Sequence, residues 1–307
     1  MTREEACAKR LEAVQQFDFQ GRVISCEVYG SGHINDTFLV AADQDGKKVN
    51  FILQRMNHEI FTEPEKLMEN VIGVTSFLRK KIAERGGDPD RETLNLVPTH
   101  GGQLFYKDSI GCYWRVYRYI TGAVTYDLVE KPDDFYQSAV AFGNFQSLLS
   151  EYPAHTLHET IKDFHNTQVR FETFKKAVAE DVCRRAAGVQ KEIQFILDRE
   201  DIACCLPELQ GSGRLPLRVT HNDTKLNNIM IDKETGRAIC VIDLDTVMPG
   251  LAVNDFGDSI RFGASTASED ETDLSKVSLS MSLYQLYVKG FMEGCGQSLT
   301  EEEIRML

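Results

Sequence analysis

Two periodicities divide this chain. Up to about residue 120 apolar and polar positions mostly alternate, as a half-buried strand requires, and beyond that the apolar positions recur at helical steps. Arg22 to Tyr29 alternates loosely through Val23, Ser25 and Val28, and Thr37 to Ala42 reads as a second strand. Gln44-Asp45-Gly46-Lys47 turns the chain into a third, Lys48 to Met56, where Val49, Phe51, Leu53 and Arg55 share one face. A short helix over Glu4 to Gln16 precedes these strands. Pro64 to Lys81, with Pro near its start and Leu67, Val71, Val74 and Leu78 in one stripe, predicts a strong helix. Gln103 to Tyr106 and Cys112 to Ile120 form a strand pair turned at Asp108 to Gly111.

From Pro132 to Cys205 the spacing is helical, with stripes through Phe135, Ala139, Phe142, Phe145 and Leu149, then Val169, Phe171, Phe174 and Val178, then Val189, Ile193, Ile196 and Leu197. Core packing accounts for all three. His155, His158 and His165 fall among these helices without ligand spacing and read as structural or exposed. Leu274 to Phe291 predicts a long amphipathic helix, and Thr300-Glu301-Glu302-Glu303 is a capping box.

A chain of 307 residues can build two lobes, each with its own core. The net charge of −13 argues against nucleic acid or an anionic membrane as partner. The start, MTREEACAKR, lacks the apolar segment of a signal peptide, and no run is long enough to span a membrane, so the expected location is cytoplasmic. Eight scattered cysteines, none in a C-x-x-C pair, read as reduced thiols, with Cys240 in the core.

The chemistry concentrates between Val219 and Thr246. His221-Asn222-Asp223, with Asn228 five residues after the Asp, forms a polar loop. Ile229 to Ile231 and Ala238 to Ile242 follow as a hairpin turned over Asp232 to Gly236, and the second strand ends in Asp243 and Asp245. Phosphoryl transfer needs such a set: one carboxylate to take a hydroxyl proton, and an Asn with a second carboxylate to hold Mg²⁺ on nucleotide phosphates. Further on, Asp255, Asp258 and Arg261 share one helical face, either as an ion-pair brace for the loop or as part of an acceptor pocket.

HNDTKLNN and VIDLDT resemble the catalytic loop and metal-binding strand of protein-kinase-like enzymes, specifically the aminoglycoside phosphotransferase and choline kinase branch. With GSGHIND, FILQRM and NDFGDSIRFG they are similar, at finer grain, to the N-acetylhexosamine 1-kinases, and the resemblance covers nearly the whole chain. It implies an α+β, two-lobed kinase-like fold: a small antiparallel nucleotide-binding lobe over residues 1–120 and a larger, mainly helical catalytic and acceptor-binding lobe over 121–307. It also implies ATP and Mg²⁺ as cofactors and a sugar as acceptor, phosphorylated on its anomeric hydroxyl. Asp223 would be the base, and Asn228 and Asp243 the metal ligands. Gly30, Ser31, Gly32 and Arg55 would lie on the phosphates, and the backbone of the hinge at Tyr117, Tyr119 and Ile120 on the adenine. Either Glu65 or Glu69 would orient Arg55, which stands where kinases usually carry Lys, and His33, Asn35, Asp36 and Arg261 would join Asp223 around the acceptor. The hexosamine kinases it resembles run past the position of Leu307, so the expectation is either a shortened chain or the absence of acceptor-site residues that such a tail supplies. The alternatives are a kinase of an aminoglycoside, choline or another sugar, and a nucleotide-binding module without turnover.

Overall fold

The computed structural model describes residues 3–30, 34–129, 131–267 and 271–307. Helix α1 (Arg3–Val14) leads into an antiparallel sheet of β1 (Arg22–Val28), β2 (Asp36–Gln44), β3 (Lys47–Arg55), β4 (Tyr106–Lys107) and β5 (Tyr113–Arg118), in the order β1-β2-β3-β5-β4. Asp45 and Gly46 at the β2–β3 turn both have positive φ, 52° and 82°, the combination whose twist matches paired strands. Helix α2 (Pro64–Glu84) begins at its proline and buries Leu67, Val71, Val74 and Leu78, the predicted stripe. One face of the sheet, with Phe38, Val40, Phe51, Leu53, Trp114 and Val116, is closed by Ala13, Val14 and Phe17. Antiparallel pairing sets Ile52 opposite Tyr117 and Gln54 opposite Arg115 on the other face.

The large lobe holds α3 (Pro132–Leu148), α4 (Thr167–Glu180), α5 (Gln190–Leu197) and α6 (Glu200–Gly211). Two small sheets follow, one of β6 (Ala123–Val124), β8 (Ile229–Asp232) and β9 (Ala238–Val241), the other of β7 (Arg218–Thr220) and β10 (Met248–Gly250). Helices α7 (Ala252–Gly263), α8 (Met281–Cys295) and α9 (Glu301–Met306) complete it. The chain enters α8 seven residues later than its apolar pattern predicts: Leu274 is 77% exposed, and Ser280 supplies the cap through its side chain to the Leu283 amide. Both halves of the Thr300–Glu303 capping box form, at 2.8 and 3.2 Å.

Besides a core of its own in each lobe, one cluster spans the two. Leu67, Val71, Val74 and Tyr117 of the small lobe pack in one cluster with Phe145, Leu149, Val219, Leu244 and Val247 of the large one. Asn70, on α2 and 2% exposed, adds a polar clamp. Its Nδ2 donates to the carbonyls of His158 (2.8 Å) and Val247 (3.0 Å), while its Oδ1 accepts from the His158 amide (2.8 Å). Of the three loosely spaced histidines, His158 is therefore tied to α2 by its main chain, and its ring also meets Glu69 at 2.5 Å.

The platform under the site is the crossing of α3 and α8. A Cβ on Gly294 would lie 2.2 Å from the Val140 carbonyl oxygen and 2.8 Å from the Asn144 amide, and one on Gly143 would lie 2.4 Å from the Phe291 carbonyl oxygen. Backbone cannot yield as a side-chain tip can, so Gly294→Ala should part the helices and cost about 1–3 kcal/mol. Gly257→Ala on α7, where a Cβ meets nothing, should stabilise by about 0.5–1 kcal/mol. Urea unfolding of the two variants checks the contrast, and equal effects would refute the close crossing.

Candidate active site

Beyond β7 the chain enters the polar loop, and buried groups hold it from three sides. His221 is fully buried, with its ring edge-on to Phe142 and Phe145. Its Nε2 lies 2.8 Å from the Ile242 carbonyl. A carbonyl only accepts, so Nε2 carries the proton and Nδ1 can accept from the Asp223 amide at 3.3 Å. Asn222 takes a left-handed φ of 66°, which Asn tolerates better than most residues, and its Nδ2 donates to the Thr246 carbonyl at 2.8 Å. Beneath, Asp255 on α7 is 1% exposed. It accepts from the amides of His221 (2.9 Å) and Asn222 (2.8 Å) and from Gln146 Nε2 (2.9 Å). Burial pushes its carboxyl up to about 6 against the pull of these hydrogen bonds. Asp258 accepts from the Thr224 amide at 2.9 Å and from Arg261 Nη2 at 2.8 Å. Asp255 and Asp258 of that helical face thus brace the loop, and Arg261 joins them through Asp258.

Asp223 and Asn228 meet directly. Asn228 Nδ2 donates to the Asp223 carbonyl (2.8 Å) and to its Oδ2 (3.1 Å), so Oδ1 remains as the Asn acceptor. The Asp223 side chain is 31% exposed and can be reached from solvent, and Lys225 Nζ stands 3.5 Å from its Oδ1. That lysine was not singled out from the sequence, although it is the only cation in HNDTKLNN. The hairpin brings Asp243 alongside: Ile229 pairs with Val241, and the Ile242 amide donates to the Asn228 carbonyl at 2.9 Å. Asp243 has φ 59° and its residue surface is exposed, yet protein hems in the carboxylate. That desolvation, followed by the negative charge of Asp245, pushes it up to about 7, with Asp223 adding in the same direction. Carboxylate and amide oxygens against an unmet negative charge suit a hard cation. Among the described residues no three His, Cys, Asp or Glu side chains group as a metal site by themselves, so phosphate and water would supply the other ligands.

Asp245 is closed off, at 3% exposed. Arg115 of β5, itself 1% exposed, reaches it at 2.5 Å and gives Nε and Nη2 to Gln54 Oε1 at 3.1 and 2.9 Å. Asn35 donates to Asp245 from the small lobe at 2.6 Å and takes the Asn57 amide on its own Oδ1. The expectation for β3 does not match this geometry. Arg55 lies on the sheet face that α1 closes, in an ion pair with Asp36 at 2.5 Å, and on β3 the residue facing Asp245 is Gln54. Neither helix carboxylate orients Arg55: Glu65 accepts from Tyr113 Oη at 3.0 Å, and Glu69 meets His158. Asn35 and Asp36 are likewise committed within the protein, to Asp245 and Arg55. Ser31, Gly32 and His33 lie outside the described residues; Gly30, with φ 76°, ends the described part of the loop after β1.

At the hinge, the Tyr119 amide donates to the Asn50 carbonyl at 3.2 Å, whereas the Ile120 amide has no partner among the described residues. Ile120 packs with Met230 and Ile242, which are only partly buried. Tyr29, just before Gly30, sets its ring edge-on to Tyr119 at 6.2 Å. His165, read from the sequence as structural or exposed, packs beside the polar loop: its Nε2 stands 3.3 Å from the Asn222 carbonyl, and burial lowers its pKa.

Residues 25–275 match APH, the phosphotransferase enzyme family. The chain belongs to that family. Solved structures of similar fold include a microcompartment-associated aminopropanol kinase (15% identity, TM-score 0.59, covering 97% of this chain and 83% of that one). A GDP complex of aminoglycoside 2'-phosphotransferase-IIIa also resembles it (14%, TM-score 0.58, 99% and 85%), as does an ethanolamine kinase of Plasmodium vivax (17%, TM-score 0.51, 92% and 71%). In this phosphotransferase no described helix is long and apolar enough to cross a membrane.

Removing Arg115 would leave Asp245 charged, closed off and short of its cation. Arg115→Met should therefore cost about 3–5 kcal/mol, the range for breaking a buried pair. Arg55→Met breaks a pair with 17% and 24% of its side chains exposed and should cost about 1 kcal/mol. Urea unfolding of both variants compares them, and a larger loss at Arg55 would reverse the assignment of the interlobe cation.

Proposed function

We propose that the protein transfers the γ-phosphoryl group of ATP to the anomeric hydroxyl of an N-acetylhexosamine, giving the sugar 1-phosphate. The observation that carries the transfer chemistry is the pairing of an accessible Asp223 with Asn228 beside the acidic Asp243. Asp223 accepts the proton of the attacking hydroxyl as its oxygen bonds to the γ-phosphorus and the bond from phosphorus to the ADP oxygen breaks. The Asn228 amide holds Asp223 in place for this, so little reorganisation is needed at the moment of transfer. Lys225 sets a positive charge beside the base, where charge on the moving phosphoryl group has to be balanced. Asn228 Oδ1 and the Asp243 carboxylate would hold Mg²⁺, which when bound neutralises phosphate charge and aligns the transferred group. Arg115 acts indirectly, by fixing Asp245 and with it the loop that carries Asp243. The unpartnered Ile120 amide suits the adenine edge, and Met230 with Ile242 suits its apolar face.

The N-acetylhexosamine reading rests on the similarity of HNDTKLNN, VIDLDT and NDFGDSIRFG to the hexosamine 1-kinases, and on charge. Asp255 is spent on loop amides and Asp258 on Arg261, so the acceptor side lacks the dense acidic wall that a polycation would require. The substrate position expected for Arg261 stays part of this proposal; its side chain is 53% exposed beside Asp258.

Asp223→Asn should lower kcat by roughly two to four decades, the effect of losing a general base, while the KM for ATP changes little. Phosphorus NMR of the wild-type product with N-acetylglucosamine and N-acetylgalactosamine should show phosphate on C1. Near-normal turnover by the variant would remove Asp223 from its role. Phosphate on C6, or turnover confined to cationic acceptors such as choline, would overturn the hexosamine assignment alone.

A further inference from the structure

Val28 stands opposite Phe38, which packs on the sheet face that α1 closes, so Tyr29, the next residue, points from the other face. Its amide donates to the Thr37 carbonyl at 2.9 Å and continues the ladder up to Gly30. The same face carries Arg115, which meets Asp245 two residues after Asp243. Tyr29 follows the edge strand β1 and Tyr119 follows β5, with β2 and β3 between those strands. Three spacings of about 4.8 Å therefore separate their strands. The rings nonetheless meet edge-on at 6.2 Å, with their hydroxyls 3.4 Å apart. The two side chains thus reach toward each other over the intervening face, where Leu39 stands opposite Ile52. The Ile120 amide, without a partner among the described residues, follows Tyr119 directly. On the reading under Proposed function, in which that amide meets the adenine edge, we propose that Tyr29 and Tyr119 form a clasp on the nucleoside end of ATP. Their rings close over the base and sugar, and their hydroxyls take the ribose hydroxyls.

The pair has the chemistry a nucleoside needs. At 3.4 Å the two hydroxyls are farther apart than in a strong O–H···O bond, and neither has another partner among the described residues. Each phenol can donate one hydrogen bond and accept others, which matches the neighbouring hydroxyls of a ribose. The Tyr119 hydroxyl, and after it burial, push the Tyr29 phenol up to about 12, so it remains a donor at neutral pH. Tyr29 is 40% exposed and Tyr119 is partly exposed, so a ligand can reach both rings from solvent. A phosphate chain offers an aromatic ring no apolar surface, and the clasp acts on the nucleoside alone.

Calorimetric titration with ADP, 2′,3′-dideoxyADP and tripolyphosphate, each with magnesium, tests the assignment. Tyr29→Ala should raise the dissociation constant for ADP about tenfold, the scale of a lost aromatic contact, and change that for tripolyphosphate less than about twofold. The wild type should prefer ADP to its dideoxy form about tenfold, and Tyr29→Phe combined with Tyr119→Phe should cut that preference to about twofold, the scale of a lost hydrogen bond. Tyr119→Leu gives the same contrast between ADP and tripolyphosphate should Tyr29→Ala not fold. Unchanged ADP binding in the folded variants, or equal weakening of ADP and tripolyphosphate, overturns the clasp and leaves the proposed kinase standing. A wild type indifferent to the ribose hydroxyls, or an undiminished preference in the double variant, does the same. A wild type that binds neither ADP nor tripolyphosphate overturns the reading on which the clasp rests.

Discussion

One buried carboxylate joins the two lobes. Asp245 receives Arg115 from the middle of the small-lobe sheet and Asn35 from the end of the loop that precedes β2, and Gln54 holds Arg115 from the neighbouring strand. Desolvating two charges costs several kcal/mol for each, and their attraction repays that only with good geometry and additional hydrogen bonds. Asn35 and Gln54 supply such hydrogen bonds here, to Asp245 and to Arg115, and the consequence is positional. Asp245 lies two residues after Asp243, so the constraint that fastens the lobes also fixes the loop on which Asp243 sits. The Asn70 clamp on the Val247 carbonyl holds the same loop from its other end.

The catalytic loop shows a complementary division. Its backbone is pinned by Asp255, Asp258 and Thr246 from beneath, while the Asp223 side chain can be reached from solvent and the Asp243 carboxylate is hemmed in beside it. Hydrogen-bonding capacity is spent inside the protein wherever position matters and left unspent wherever a ligand must arrive. The raised pKa of Asp243 follows from this: an acid hemmed in beside other acids, with Arg115 already turned to Asp245, is an electrostatic demand for a cation. Asp255 has the same physical cause for its shift and a different outcome, because three donors already surround it.

The motif region was legible because its requirements are local. His221, Asp223 and Asn228 lie on one short loop, and the hairpin that returns Asp243 to them is signalled by two apolar runs around Asp232 to Gly236. Glycine and proline punctuation placed the turn at Gly46 and the start of α2 for the same reason. Arg55 was misplaced because a two-residue period says which side chains share a face and leaves open which face meets the cleft. Only the packing of α1 against Phe51 and Leu53 decides that, and it turns Arg55 away. Arg115 gave no signal, since a buried arginine looks like any other in sequence until its carboxylate, 130 positions along, is brought to it. His165 has no ligand spacing either, and its contact with the Asn222 carbonyl arises only when the segment before α4 is laid beside that loop.

The sequence by itself determined the strands, most of the helices, the two-lobed α+β kinase-like plan and the polar loop and hairpin that bring Asp223, Asn228 and Asp243 together. These rest on periodicity, turn chemistry and contacts a few residues apart, which are written into consecutive positions. Tertiary structure alone decided which cation meets Asp245, that Asn35 and Asp36 are held by Asp245 and Arg55, and that one core cluster spans both lobes. Each of these depends on the meeting of residues far apart in the chain, where burial sets the cost of a charge and the partner that arrives decides whether that cost is met.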